Sequence, residues 1–247
     1  MKKTCDEAEH TEFDLTVLPV KKDNHGINIR RPIHPLLPDA KQGASVIICS
    51  SVRSGKSNLL CNLLLNSNFY KDCFEDVYIF SSTIHQDQTT RKLLEAFPAT
   101  CYDSFDERKL QRIIDHQKSF EDDMRPAIAV ILDDLQNIKA NSPFYRLATN
   151  FRHHSIGLLI YTIQNFKMVS PVVRSNATNL LIGTNNTQQM KQIALEYAGH
   201  FGGEDNFIRY HRLAVPERFN FLYCRLDAYP ALLHKNFEEK PIYEDEL

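Results

Sequence analysis

Short apolar runs recur along the chain, at 44–49, 75–82, 127–132, 156–163 and 178–183. Runs of this length with no polar interruption, such as AIAVIL at 127–132, read as strands buried on both faces of a parallel sheet. Between them the apolar positions change to helical spacing. Leu59/Leu63 and Leu60/Leu64 fall four apart directly after the first run. Residues 86–97 carry Leu93, Leu94 and Phe97, and 106–121 place Leu110, Ile113, Ile114 and Gln117 on one face. Further helices are predicted over 142–152, over 187–199 with Gly199 closing it, and over 203–213. Residues 218–226 alternate and predict an edge strand near the C-terminus. Strands alternating with helices predict an α/β fold, a mainly parallel sheet flanked by helices.

The pattern also divides the chain. Residues 13–20 hold one possible strand, but prolines at 32, 35 and 38 resist helix and sheet alike. Residues 1–43 are therefore expected as an extended arm, 44–235 as a single domain and 236–247 as an acidic tail. The arm carries Lys21, Lys22, Arg30 and Arg31, more in keeping with a solvated segment than with a nucleic-acid contact.

Composition narrows the reading. With 247 residues, 43% hydrophobic and 24% charged, the chain suits one globular domain of ordinary size. Its net charge of −2 gives no global attraction to nucleic acid or to an acidic membrane, so any nucleic-acid surface is local. Cys5, Cys49, Cys61, Cys73, Cys101 and Cys224 form no C-x-x-C pattern and read as thiols of a reducing compartment. Neither a signal peptide nor a run long enough to span a bilayer is expected, and the final Glu-Asp-Glu-Leu reads as a solvated end.

Chemistry concentrates where the first run ends. Ser50-Ser51-Val52-Arg53-Ser54-Gly55-Lys56-Ser57 joins an apolar strand to a leucine-rich helix, the context of a P-loop. Backbone amides from Ser51 through Val52, Arg53, Ser54 and Gly55 would surround phosphate, aided by the positive end of the helix. Lys56 would reach the β- and γ-phosphates, Ser57 would hold Mg²⁺, and Asn58 opens the helix. The pattern puts its first glycine at Ser50, which suggests a different opening turn.

Asp133 and Asp134 end the run at 127–132, as in a Walker B element. Asp133 would hold Mg²⁺, and Asp134 would polarise the attacking water. The interval from Lys56 leaves room for a strand–helix unit between the motifs, as in additional-strand P-loop ATPases. Gln164 ends the next run, on the ligand-binding edge of an open parallel sheet, suited to sensing the γ-phosphate. Arg152 and Arg174 flank that strand, and either is a candidate finger for a neighbouring site. Arg53 is a candidate for an interface, and for each arginine a surface salt bridge is the competing reading. His153-His154 lacks a third metal ligand at suitable spacing, and no G-x-S-x-G elbow supports a serine hydrolase.

SSVRSGKS, AVILDD, and RHHSIGLLIYTIQNF followed by SPVVRSNATNLLIG together make the chain resemble the FtsK–HerA superfamily of P-loop ATPases. The resemblance covers roughly 44–185 and is nearest to the viral genome-packaging branch of poxviruses, other large DNA viruses and virophages. It implies a RecA-like core with strand order 5-1-4-3-2. It also implies an ATP- and Mg²⁺-dependent motor that moves double-stranded DNA into a capsid. Partners would be further copies of the chain in a hexameric or pentameric ring, double-stranded DNA and capsid components, in the host cytoplasm or the virion. Lys56, Ser57, Asp133, Asp134 and Gln164 take the family's site roles, with Arg152 or Arg174 as finger. Asp134 departs from the glutamate usual in cellular members. A nucleotide kinase, a GTPase or a non-catalytic nucleotide module are the alternatives. Asn185-Asn186-Thr187-Gln188 is not a guanine-reading motif, and no arginine-rich lid is evident.

Overall fold

The computed structural model describes residues 26–134 and 142–242. The strand expected at 13–20 and the last acidic residues lie outside them. Among the described residues, eight strands form one sheet. They are β1 (Ala44–Cys49), β2 (Asp76–Ser81), β3 (Cys101–Tyr102), β4 (Ile128–Asp133), β5 (Ile156–Ile163), β6 (Asn179–Ile182), β7 (Leu222–Arg225) and β8 (Leu232–Lys235). Their order across the sheet is β3-β2-β4-β5-β1-β6-β7-β8. The pairings from β3 to β6 are parallel, and β6-β7-β8 continue antiparallel. Without β3, the parallel strands run in the order that the resemblance implies.

The sheet lies between two helical layers because its central strands are apolar on both faces. On one face, Val46 and Ile48 of β1 pack with helix α1 (Lys56–Leu65) and helix α2 (Gln88–Ala96), through Leu60, Leu63, Leu64 and Leu93. On the other, Ile47 and Cys49 pack with α3 (Glu107–Lys118), α4 (Pro143–Asn150), α6 (Thr187–Tyr197) and α7 (Glu204–Ala214). A short helix, α5 (Pro171–Ser175), precedes β6. The helix starts follow local chemistry. Asp87, Asp106, Ser142 and Asn186 each accept a backbone N–H in the first turn of α2, α3, α4 and α6.

Residues 26–43 pack on the α1 side, burying Ile29, Leu37 and Ala40. Tyr70 donates its hydroxyl to Pro38 O at 2.6 Å. Arg30 pairs with Glu75, and Arg31 donates to the carbonyls of Ser67, Phe69 and Lys71. Gly157 fits this packing, since a Cβ there would meet Ala40 O and the Phe74 ring, both at 2.9 Å.

Several expected boundaries shift. The edge strand at 218–226 shortens to β7, and β8 pairs outside it; β8 is only four residues long, too short for its pattern to stand out. The helix at 142–152 ends at Asn150 and passes into a 3₁₀ turn at Phe151–His154. α6 stops at Tyr197, and a 3₁₀ turn follows through His200. Gly199 does not close it; the left-handed glycines come later, at Gly202 and Gly203.

Candidate active site

The parallel strands β1, β4 and β5 end along one edge of the sheet, and the candidate residues gather there. β1 leads into the loop at 50–55, and α1 starts at Lys56. Gly55 caps α1 in the left-handed conformation (φ 103°) with no side-chain cap on the first turn. The orphan N–H groups and the positive helix end thus face the loop's concavity, as phosphate binding requires. The second left-handed position is Arg53 (φ 59°), whereas Ser50 is not among the positive-φ residues. That removes the objection to serine at the loop's first position. Ser50 is fully buried, and its Oγ bonds to Ser54 Oγ at 2.5 Å and donates to Thr184 O at 3.1 Å. Gly183 makes room for it, since a Cβ there would overlap Ser50 Oγ.

Lys56 extends across the loop. Its Nζ donates to Ser50 O at 2.7 Å and to Ser51 O at 2.8 Å. Burial lowers its pKa, and the nearby carboxylates of Asp134 and Asp133 act in the opposite direction. The ammonium is thus partly desolvated and poised beside two acids, where a phosphate would be a strong partner.

β4 delivers the acids. Asp133 is 9% exposed and its carboxylate is held at both oxygens: Ser81 Oγ donates to Oδ2 at 2.7 Å and Thr162 Oγ1 to Oδ1 at 2.5 Å. The register explains the first contact, because Ser81 of β2 lies directly beside Asp133. Asp134 has a left-handed backbone (φ 54°), and its N–H donates to Thr162 Oγ1 at 2.8 Å. Gln164 Nε2 donates to Asp134 Oδ1 at 2.9 Å. Gln189 of α6 in turn fixes Gln164, donating to its carbonyl at 2.6 Å and accepting from Phe166 N at 3.0 Å.

These groups face a cavity of about 490 Å³ bordered by Lys56, Ser57, Asp133, Asp134, Gln164 and Phe219. The oxygen donors of Asp133 and Ser57 suit a hard cation such as Mg²⁺, with phosphate oxygens and water completing its shell. Among the described residues no group of three or more His, Cys, Asp or Glu side chains forms a metal site by itself. Val52, Arg53 and Asn58 are exposed around the mouth.

The two flanking arginines lie elsewhere. Arg152 precedes β5, at the opposite edge of the sheet, exposed and bordering a second cavity of about 490 Å³ with Asp39 and Asp227. Arg174 is 9% exposed and fixed within its own chain. It donates to Glu196 at 2.8 and 2.6 Å and to the carbonyl of Val169, and it stacks 4.8 Å from the Phe166 ring. His154 is buried, with its pKa lowered by burial, and joins no metal cluster among the described residues. Sequence reasoning missed Ser81, Thr162, Gln189 and Phe219. Ser81 and Thr162 shared the signal that marked Gln164, a polar side chain at the far end of an apolar strand.

No family model and no curated protein sequence matches the chain. Solved structures do. The genome packaging NTPase B204 of Sulfolobus turreted icosahedral virus 2, in complex with AMP, superposes with a TM-score of 0.55 at 16% identity, covering 81% of this chain and 98% of that one. The fold is that of a P-loop ATPase. The same NTPase in complex with ATP-gammaS gives 0.53 at 13% identity over 79% and 98% of the two chains. The DNA-packaging ATPase B204 of Sulfolobus turreted icosahedral virus gives 0.53 at 15% over 81% and 98%. The chain shares its fold with these P-loop ATPase neighbours; its own sheet is mostly parallel and ends in antiparallel C-terminal strands. Among the described residues, no helix is long and apolar enough to cross a membrane.

Proposed function

We propose that this protein is a Mg²⁺-dependent ATPase that translocates double-stranded DNA, packaging a viral genome into a capsid as a ring of identical subunits. The observation that carries the reading is the convergence of Lys56, Asp133, Asp134 and Gln164 on one cavity at the carboxyl edge of the sheet. Fold likeness to a packaging NTPase supports the choice of task. Bound at that edge, Mg²⁺ supplies charge neutralisation between the phosphates. The chain's own groups do the rest. Lys56 and the loop amides bind the triphosphate, and Ser57 and Asp133 hold the cation. Asp134 orients the attacking water and accepts its proton, while Gln164 fixes the Asp134 carboxylate in place. Arg152, exposed at the opposite edge, is the better-placed finger for a neighbour, because Arg174 is committed to Glu196. The domain spans 44–235 in this reading, with the flanking segments as its arm and tail.

The test is ATP turnover by purified protein with and without double-stranded DNA. Turnover is expected to rise with DNA, and Lys56→Ala is expected to abolish it while leaving the circular dichroism spectrum unchanged. Turnover indifferent to DNA argues against translocation, and wild-type turnover in the Lys56 variant argues against the site. Mixing Lys56→Ala subunits with Arg152→Ala subunits is expected to restore part of the activity, since an intact site would then meet an intact finger.

A further inference from the structure

A second, smaller cavity opens beside the phosphate loop. Its volume is about 150 Å³, and it shares Gly55, Asn58 and Phe219 with the larger one. Phe69, Phe219, Phe221 and Phe237 border it. Phe69 and Phe237 meet edge to face at 5.4 Å, and Phe237 packs on Tyr223 at 5.0 Å, which gives the far wall a fixed shape. The near wall is Phe219, whose ring edge lies so close to Gly55 that a Cβ there would be 2.6 Å from Cδ1. Phe219 is nevertheless 59% exposed and holds a left-handed backbone (φ 69°). A bulky residue rarely takes that conformation, and such strain persists only where the surroundings impose it. Here Asn236 does so. Its Oδ1 accepts from Phe221 N at 2.9 Å and its Nδ2 donates to Asn220 Oδ1 at 3.0 Å, which ties down the residues after Phe219. An exposed aromatic is thus held over the start of α1 at a conformational cost, and the fold has no other evident use for it.

We infer that this aromatic cavity is the nucleobase subsite of the nucleotide whose phosphates sit on the loop, and that it selects adenine. The inference rests on the proposed nucleotide reading of the loop and extends it to the base. Phe219 supplies a π-face for stacking. Asn58 and Asn62 border the same space, and an asparagine amide presents the donor and acceptor that match the N6–N7 edge of adenine. Asn62 Nδ2 donates to Asn58 O at 2.9 Å, so its Oδ1 is the acceptor on offer. No Asp or Glu borders the cavity among the described residues, so the N1–H and N2 amino group of guanine would lack a carboxylate acceptor. The sharing of Gly55 and Asn58 places base and phosphates on either side of the start of α1.

Calorimetric titration with ATP, GTP and inorganic tripolyphosphate, all with Mg²⁺, tests this. Wild-type protein is expected to bind ATP at least tenfold more tightly than GTP or tripolyphosphate. Phe219→Ala is expected to weaken ATP about tenfold, about 1.4 kcal/mol, and to leave tripolyphosphate unchanged, while Phe219→Trp retains ATP affinity. Lys56→Ala is expected to weaken both ligands. If Phe219→Ala leaves ATP within twofold while Lys56→Ala abolishes both, the base subsite is wrong and the loop reading stands. Equal losses of ATP and tripolyphosphate in Phe219→Ala would make Phe219 a support of the loop, and would overturn the subsite too. A wild-type protein that binds neither ligand overturns both readings.

Discussion

Gln164 donates its side-chain amide to Oδ1 of Asp134 at 2.9 Å, linking the ends of neighbouring strands β4 and β5. The bond holds the carboxylate proposed to orient water and ties it to the residue proposed to sense the γ-phosphate. Its chemistry makes a sharp prediction. Gln164→Glu replaces the donor by a second carboxylate, so the two acids repel instead of bonding. Steady-state turnover is expected to fall by about 10²-fold or more, the scale set by losing positioned acid–base catalysis. ATP affinity is expected to fall less than turnover, because Lys56 and the loop are untouched. Gln164→Ala is expected to give a smaller loss, since it removes the bond without adding charge. Comparing kcat with a separately measured ATP dissociation constant separates these effects.

Thr162 carries a load that its size does not suggest. Its one hydroxyl donates to Asp133 Oδ1 and accepts from Asp134 N, so it orients both acids at once. It is fully buried. Thr162→Val keeps the shape but leaves a buried carboxylate oxygen and a backbone N–H short of a partner. The expected cost is about 1–3 kcal/mol of unfolding free energy, together with reduced turnover. Thr162→Ser, which restores the hydroxyl, is expected to recover most of the turnover. Urea unfolding and ATPase assays on the pair check this, and equal behaviour of the two variants would contradict it.

Arg174 is predicted to matter for stability before it matters for catalysis. Its guanidinium bonds to Glu196 and to backbone carbonyls from a nearly buried position, while Glu196 keeps 37% of its side chain in solvent. Removing the arginine leaves a carboxylate that water can still reach, so the loss should fall below that of a fully buried pair. About 2–3 kcal/mol is expected for Arg174→Ala, read as a lowered denaturation midpoint. Arg152→Ala, at an exposed position, is expected to leave the midpoint unchanged. A midpoint for Arg174→Ala equal to wild type would show that the buried network contributes little.

How much of this could be read from residues alone depends on the range of the interactions. The strands β1, β2, β4, β5 and β6 were legible because burial in the sheet leaves short, mostly apolar runs. The loop at Ser50–Ser57 and the acids at Asp133 and Asp134 were legible because their chemistry is contiguous. Ser81 and Thr162 were half legible: their positions at strand ends were visible, but contact with Asp133 needs the sheet register. Phe219 was illegible, because nothing local to residues 215–221 says that this turn returns to Gly55. Arg174 read as a possible finger since its partner, Glu196, lies a helix away, and only packing brings them together. β8 and β3 were too short for a period to emerge.

His211 gives the fold a predicted acid sensitivity. Its ring is buried and donates from Nε2 at 2.8 Å to the carbonyl of Gly183, the glycine that makes room for Ser50. Burial lowers its pKa below the ordinary 6.5, with Arg212 acting in the same direction and the bond to Gly183 opposing. The folded state therefore keeps the ring neutral where the unfolded chain would take up a proton. Stability is complete above about pH 6.5 and is lost progressively as the pH falls below that value towards the lowered folded pKa. Buried His154 and His234 shift in the same direction and add to the slope. The urea midpoint is thus expected to be lower at pH 5.5 than at pH 7.5, in a window that lies above ordinary carboxylate titration. His211→Gln keeps a donor for Gly183 O but has no proton to gain, so its midpoint should fall less between the two pH values. A variant with the same pH slope as wild type would remove His211 from the cause.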